Sequence, residues 1–462
     1  MSQTSRYQAT PSTLVSIFHP KPACDLTETR SQGAKPMEIL YPNCAGGDVH
    51  LKTVVVCAVW RENGRRRQET RTFGTTTGEL LQLAEWLVAH GITHIALERT
   101  GVYWKPVYYV LESQVEVWLV NAQHVKKVPG RKTDVSDAEW LAAVMEGGLV
   151  RASFVPPSSQ RELRDLTRQR ANLVRDRAQV LNRLQKILED ANVKLGAVVS
   201  DINGVSALAM LRQMVAGTTD APTLVELARG TLRKKRVELE AALSGRFREH
   251  HRFLLGQALS QLDFLDEALA IFSAEIDQRL AALTAPTSAG VTYAQAIALW
   301  DSAPGVNQRA AEVLVAEIGV DMSRFPTPQQ LASWCGVCPG NNQSAGQRRR
   351  EAIAPGDRPV RKTLSQCAHA ASRTKGTYLQ ALYHRVAARR GKKRALMAVA
   401  HSLVMSGWYM LTNNQPYQEP QQAALSSDDK ARLAKRMLKR LNKLGYQVSV
   451  RQLDPGVAPT QV

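Results

Sequence analysis

The sequence predicts a layered α/β domain towards the N-terminus, followed by mostly helical structure. Three observations predict this. Val-rich strand-like runs alternate with amphipathic helical runs across residues 48–121. Apolar residues then recur at helical spacing through 160–195 and 223–284. From about Tyr293 a third unit begins, rich in Gly, Pro and charge, and it closes on an apolar helical run at 395–411. Helices placed between strands imply parallel pairing and stacked layers.

Taken in order, residues 1–43 show Ser, Thr and Pro without periodicity and read as a flexible extension. "DVHLKTVVVCAVW" (48–60) reads as one strand, begun by Asp48. "RRRQETRTFG" (65–74), turned at "ENG", suits a second strand and room for a third. "TGELLQLAEWLVAHG" (77–91) is an amphipathic helix closed by Gly91. "ITHIALE" (92–98) is a short buried-type strand, "YWKPVYYVLES" (103–113) a helix and "VEVWLVN" (115–121) a further strand. Asp134 to Glu146 reads as a helix stopped by Gly147 and Gly148. In 160–195, Leu163, Leu166, Leu173, Leu181, Leu184 and Leu188 make a helical stripe, and a Gly- and Thr-rich stretch after it reads as loop. The long helices that follow suit a bundle, an arm or an oligomer interface. Residues 413–429 read as a linker, and "KARLAKRMLKRLNKLG" (430–445) as a basic amphipathic helix. The expected domains are therefore 1–43, 44–155, 156–292, 293–411 and 412–462.

Composition narrows the function. The chain has 462 residues, 44% of them apolar, enough for two or three cores. Its net charge of +19 points to a polyanionic partner. The excess is uneven: fourteen Lys or Arg and two acids lie between Gln347 and Arg394. Six scattered cysteines make no disulfide framework and fit a reducing interior. The single Cys335-x-x-Cys338 has no second pair, so no zinc site is expected. No secretory signal is read, and no membrane span is expected. The apolar run at 395–411 contains His401 and adjoins "RRGKKR", so it reads as a buried core helix. A cytoplasmic protein follows, with nucleic acid as its partner.

Four acids stand where metal chemistry would use them. Asp48 and Glu98 sit at strand termini, where α/β active sites form. Asp134 and Asp137, in "GRKTDVSDAEW", are spaced i and i+3 on the expected helix and would share one face. Converging carboxylates repel one another unless a hard cation such as Mg²⁺ (or Mn²⁺) joins them, and such ions suit phosphodiester cleavage. Each acid alone also suits a structural role: a strand start, a helix end or a solvated face. Arg131 and Lys132 precede the pair and are candidate nucleic-acid contacts.

Ser344 lies in "CPGNNQSAGQRRR", whose composition reads as a loop. Both a capping serine and a nucleophile fit there. Arg348, Arg349 and Arg350 are candidate phosphate contacts, as are Arg361 and Lys362 ahead of a helix at 360–372. "LWDSAPGVNQRAAEVLVAEIG" (299–319) reads as two helices around Pro304, Gly305 and Val306. That turn either offers backbone N–H groups to a DNA phosphate or packs the helices together.

The segments "GGDVHLKTVVVCAV", "ALERTGVYW", "VWLVNAQHVKKVPGRKTDVSDAEWLA", "PGVNQRAAEVLVAEIG" and "RFPTPQQLASWCGVCPGNNQSAGQRRR" resemble, in that order, the insertion-sequence transposases with an N-terminal RuvC-like domain carrying an Asp-Glu-Asp-Asp set. The resemblance covers about 45–411. It implies a ribonuclease-H-like (RuvC-like) N-terminal fold, a helical middle and a mainly helical C-terminal transposase domain. It places the four carboxylates on Asp48, Glu98, Asp134 and Asp137 and a catalytic serine on Ser344. Here Ala345 stands where the family more often has Gly. The resemblance also implies element-end and target DNA as substrates, a structured non-coding guide RNA, and a homodimer or homotetramer. Two other functions fit the residues: a metal-dependent junction resolvase or nuclease of the same fold, which would not need Ser344, and a non-catalytic nucleic-acid-binding scaffold.

Overall fold

A computed structural model describes residues 39–98, 101–121, 136–284, 290–339, 343–344, 347–348 and 356–419, with isolated positions between 435 and 445. Two compact units divide the chain, Met1–Val155 and Pro156–Val462.

In the first unit, β1 (Cys44–Val49), β2 (Thr53–Glu62), β3 (Arg65–Gly74), β4 (His94–Glu98) and β5 (Glu116–Val120) form a mixed sheet in the order β3-β2-β1-β4-β5. The first three strands are antiparallel neighbours, whereas β4 and β5 run parallel to β1. Two crossovers make this order possible: α1 (Thr77–Ala89) between β3 and β4, and α2 (Trp104–Leu111) between β4 and β5.

Strand alternation sorts the side chains between two layers. Val49, Val54, Val56, Ile95 and Leu97 pack on one face with Leu83 and Leu87 of α1 and Val107 and Leu111 of α2. The opposite face receives α3 (Asp137–Glu146), where Ala138, Leu141, Ala142 and Met145 meet Cys44, Cys57, Val59 and Ala96. Burial on both faces explains why these strands read as nearly continuous apolar runs.

The structure corrects the expected strand over 48–60. A turn at His50–Lys52 divides it, so Asp48 lies near the end of β1. Residues 65–74 form one strand.

The second unit is mainly helical among the described residues. α4 (Ser158–Asp190) returns against α9 (Glu249–Ala282) through α5 (Leu195–Val198), α6 (Val205–Val215), α7 (Ala221–Val225) and α8 (Arg236–Leu243). Glu162–Arg279, Arg177–Asp266 and Asp190–His251 pair with falling partner numbers, which makes α4 and α9 antiparallel. The short helices enclose their own core of Leu184, Leu188, Leu211, Leu224 and Leu255. Part of the stretch expected as loop is therefore helix, and the helical patterns expected over 223–284 fall mainly on α8 and α9.

α10 (Tyr293–Asp301), α11 (Gln308–Ile318), α12 (Pro328–Trp334), α13 (Arg358–Ala371), α14 (Tyr378–Arg390) and α15 (Lys392–Asn413) surround a core that includes Trp300, Leu314, Leu331, Leu364 and Leu403. α15 has the length and hydropathy of a membrane span, but Val399, Ala400, Leu403, Val404 and Leu411 belong to this core. Its apolar content is therefore spent on packing, as the sequence predicts. A short hairpin, β6 (Gln343–Ser344) and β7 (Gln347–Arg348), precedes α13.

The start of α4 is fastened to the end of α11. Gln160 and Arg164 donate to the carbonyls of Ala316 and Glu317, which a helix C-terminus leaves without intrahelical partners. Arg168 grips the buried Glu317 carboxylate through two bonds of 2.6 and 2.8 Å. Arg170 reaches the buried Glu312 at 2.5 Å. Residues 160, 164 and 168 follow an i, i+4 rhythm, so they form a polar stripe beside the apolar one.

The expected extension at 1–43 lies outside the described residues up to position 38. The expected basic helix at 430–445 lies outside them except at positions 435, 438, 441, 442 and 445.

Candidate metal and nucleic-acid site

The carboxylates are positioned by strand register. Gly47 of β1 pairs with Leu97 of β4, so Asp48 and Glu98, one residue further along, end neighbouring parallel strands at the same level. Two residues before them, Gly46 and Ala96 face α3: Ala96 joins Leu141, Val144 and Met145. A Cβ at Gly46 would sit 2.3 Å from both the Ala138 carbonyl oxygen and the Ala142 nitrogen, so glycine lets the helix backbone lie on the strand. The period of two directs Asp48 and Glu98 to that same face.

The direction of α3 completes the arrangement. Its last residue, Glu146, accepts through its carbonyl from Leu40 and Tyr41, just before β1, while Ala138 lies at the level of Gly46. The helix therefore runs against β1, and its first residue, Asp137, stands at the sheet edge where Asp48 and Glu98 emerge. Asp48 and Glu98 are half-buried and Asp137 is exposed. Asp48, Glu98 and Asp137 thus share one edge and one face, and oxygen donors at the carboxyl edge of parallel strands suit a hard divalent cation.

Three contacts hold α3 in this position. Ser136 caps it in a reciprocal box with Glu139, whose carboxylate also accepts from Thr70 of β3. At the other end the Glu146 carboxylate, 9% exposed, accepts from Arg61 and Arg66 at 3.0 Å each. The box is legible as Ser136-x-x-Glu139. The partners of Glu146 are 80 and 85 residues away and follow no periodicity.

Several expectations change here. The helix starts at Asp137 after an extended Ser136, later than the expected start at 134. Asp134, Arg131 and Lys132 lie outside the described residues. His50, which has no evident partner in the sequence, places Nε2 3.1 Å from Asp48 Oδ2. Its position two residues after Asp48, on the same face by the strand period, is the signal that could have found it. A separate grouping, Asp190, His250 and His251, has the spacing of a metal site. Both ring nitrogens of His251 are nevertheless engaged, one by the Arg248 N–H and the other by Asp190, which suits a tie between helix ends.

In the second unit, Ser344 lies on a hairpin and not in an irregular loop, with Ser344 paired to Gln347 and Gln343 to Arg348. Arg349 and Arg350 lie outside the described residues. Arg361 and Lys362 belong to the first turns of α13 and do not precede it; Asp357 caps that helix by accepting from Val360. The Pro304-Gly305-Val306 turn is a packing turn. A Cβ at Gly305 would meet the Ala371 nitrogen at 2.3 Å, Val306 is 7% exposed, and Asn307 accepts from Ala310 at the start of α11.

The sheet order and the acids at its edge define a class: a ribonuclease-H-like domain with donors for a divalent metal. Comparison with known proteins is narrower. Residues 45–193 match the DEDD model of IS110 proteins, described as "Transposase", and residues 298–384 match "Transposase IS116/IS110/IS902 family". The matches occupy separate segments and together span about half of the chain, which belongs to the IS110 family of transposases. A relative from Sinorhizobium fredii (strain NBRC 101917 / NGR234), "Putative transposase y4pF/y4sB", is 24% identical over 324 residues, covering 68% of this chain and 71% of its own length. The protein is a DNA transposase with a DEDD domain of the divalent-metal type.

Proposed function

We propose that the protein cleaves element-end and target DNA and exchanges their strands through a phosphoserine at Ser344, guided by a structured non-coding RNA and acting with Mg²⁺ (or Mn²⁺) held by Asp48, Glu98, Asp134 and Asp137. The observation that carries this reading is the placement of Asp48, Glu98 and Asp137 at one edge and on one face of the sheet, in a chain whose second family segment contains Ser344. A divalent ion held by the acids would neutralise phosphate charge and favour an oxygen nucleophile.

The chain's own residues then divide the task. The Ser344 hydroxyl attacks phosphorus and loses its proton, a strand-end hydroxyl leaves, and the phosphate is retained as a serine ester. Attack on that ester by another strand's hydroxyl restores the serine and joins DNA without an external energy source. Arg348, Arg349 and Arg350, with Arg361 and Lys362, are suited to hold phosphate through paired hydrogen bonds, and Arg131 and Lys132 to hold nucleic acid beside the acids. Two strands must be cut in register, so the active form is a homodimer or homotetramer. Phe253, Phe264 and Ile271 support this: they lie on one side of α9, each more than 60% exposed. The RNA partner is supported by the family resemblance and the +19 charge. Such a protein acts in the cytoplasm, on nucleoid DNA.

The test is strand joining by the purified protein with element-end DNA and the RNA that co-purifies with it. Ser344→Ala is expected to abolish joining, by roughly 10³-fold or more. Asp48→Asn is expected to abolish cleavage as well. Joining at the wild-type rate by Ser344→Ala would refute the serine mechanism. Metal-dependent cleavage retained by that variant would favour hydrolysis by a resolvase-like nuclease.

A further inference from the structure

A groove of about 1380 Å³ lies among α13, α14, α15 and the Val337–Pro339 segment. It is larger than the ~300–1,000 Å³ typical of a small-molecule site. Its walls are apolar, with Tyr378, Leu382 and Val386 from α14 and Leu396, Met397 and Met405 from α15. His369, His401, Ser365 and Ser402 add hydrogen-bonding groups. Burial lowers the pKa of His401, leaving a neutral ring that can both donate and accept. Arg390, Lys393 and Arg394 line it and are exposed, and among the described residues no carboxylate lines it.

We propose that this groove binds an unpaired stretch of the DNA strand flanking the phosphate that Ser344 attacks, with bases against the apolar walls and phosphates on Arg390, Lys393 and Arg394. The inference rests on the reading of Ser344 given above. Three features select this occupant. Apolar walls with an aromatic residue suit the faces of bases, which are buried in a duplex and exposed in a single strand. The cationic lining suits phosphate and disfavours the chain's own basic segment at 430–445. Pro339 lines the groove five residues before Ser344, so the two are at most about 18 Å apart along an extended chain. A duplex would present phosphates to the arginines but no base face to the walls.

The test uses the full-length protein and labelled oligodeoxythymidylate, the same label on a duplex, and oligouridylate. Met397→Glu places a carboxylate in the wall and is expected to weaken single-stranded DNA binding roughly tenfold while duplex binding stays within about twofold. Because that variant could misfold, the wild-type protein is also photo-cross-linked to DNA containing 5-iododeoxyuridine. Cross-links to Tyr378 and its neighbours on α14 and α15 are the expected result. Cross-links elsewhere, with DNA still bound, would overturn the groove and leave the transposase reading intact. Preferential capture of oligouridylate in the groove, or protein–protein cross-links from the groove to residues 420–462, would also overturn it. Failure of the wild-type protein to bind any nucleic acid would overturn both.

Discussion

Glu146 in the first unit and Glu317 in the second are buried carboxylates that each meet two arginines, yet the helices they hold have different tasks. Glu146 fixes the far end of α3, whose near end carries Asp137 to the candidate metal edge; its arginines come from neighbouring strands and remain 30% and 38% exposed. Glu317 is fully buried and belongs to a wider network in which Arg168, Arg164 and Asp357 take part. Burial pushes its carboxyl pKa up, and Arg168 and Arg164 pull it back. The first arrangement orients one short helix over a site. The second joins the 33-residue α4 to the core around Trp300 and carries no candidate chemistry. A contact close to the site is thus expected to show itself in activity, and the distant one in stability.

The largest stability effect is expected from Glu317→Ala. It leaves Arg164 and Arg168 facing a cavity without their carboxylate, and breaking a buried pair costs about 3–5 kcal/mol. The loss should appear in urea unfolding, and hydrogen exchange should rise in 158–170 and 308–318 while 136–146 stays protected. A loss of about 0.5 kcal/mol, as for an exposed pair, would show that the network contributes nothing beyond surface charge.

Glu146→Gln should be milder and should fall on the other side of the comparison. The amide retains acceptor capacity for one arginine but loses the charge, for a cost of about 1–3 kcal/mol. DNA cleavage should fall more than stability alone explains, because the C-terminal end of α3 is no longer fixed and Asp137 loses its register with Asp48 and Glu98. Cleavage unchanged under conditions where the variant is fully folded would separate the helix anchor from the site.

What the sequence made legible follows from local rules. The strands at 92–98 and 115–121 need only short apolar runs of β-forming residues, and the helix at 77–91 only a period of 3.6. The acids stand out as candidates because strand ends and i, i+3 spacing are local features. The position of Asp48 at the end of β1 is not legible, because the turn at His50–Lys52 contains neither Gly nor Pro and the Val-rich run looks continuous. α6 is hard to see in sequence because Gly and Thr on either side mask the spacing of Ala207, Met210, Leu211 and Met214, all buried. The tie between Arg168 and Glu317 spans 149 residues, and the fit of Gly46 to α3 depends on a helix that enters the fold 90 residues later. No local pattern reports such pairings; they are set by which surfaces meet in three dimensions.

The smallest effect tests whether the near end of α3 is held by its cap or by packing. Ser136→Ala removes the acceptor for the Glu139 N–H and half of the reciprocal box, a loss of about 1 kcal/mol. Ala138, Leu141 and Ala142 remain buried against the sheet, so the helix should persist. Only its first turn should fray, and that turn bears Asp137. The expected signature is faster hydrogen exchange at 137–140 with exchange at 141–146 unchanged, together with a higher metal concentration needed for half-maximal cleavage. Equal acceleration along the whole helix would mean that the cap supports α3 as a unit. An unchanged metal requirement despite a frayed first turn would remove Asp137 from the set of groups that hold the ion.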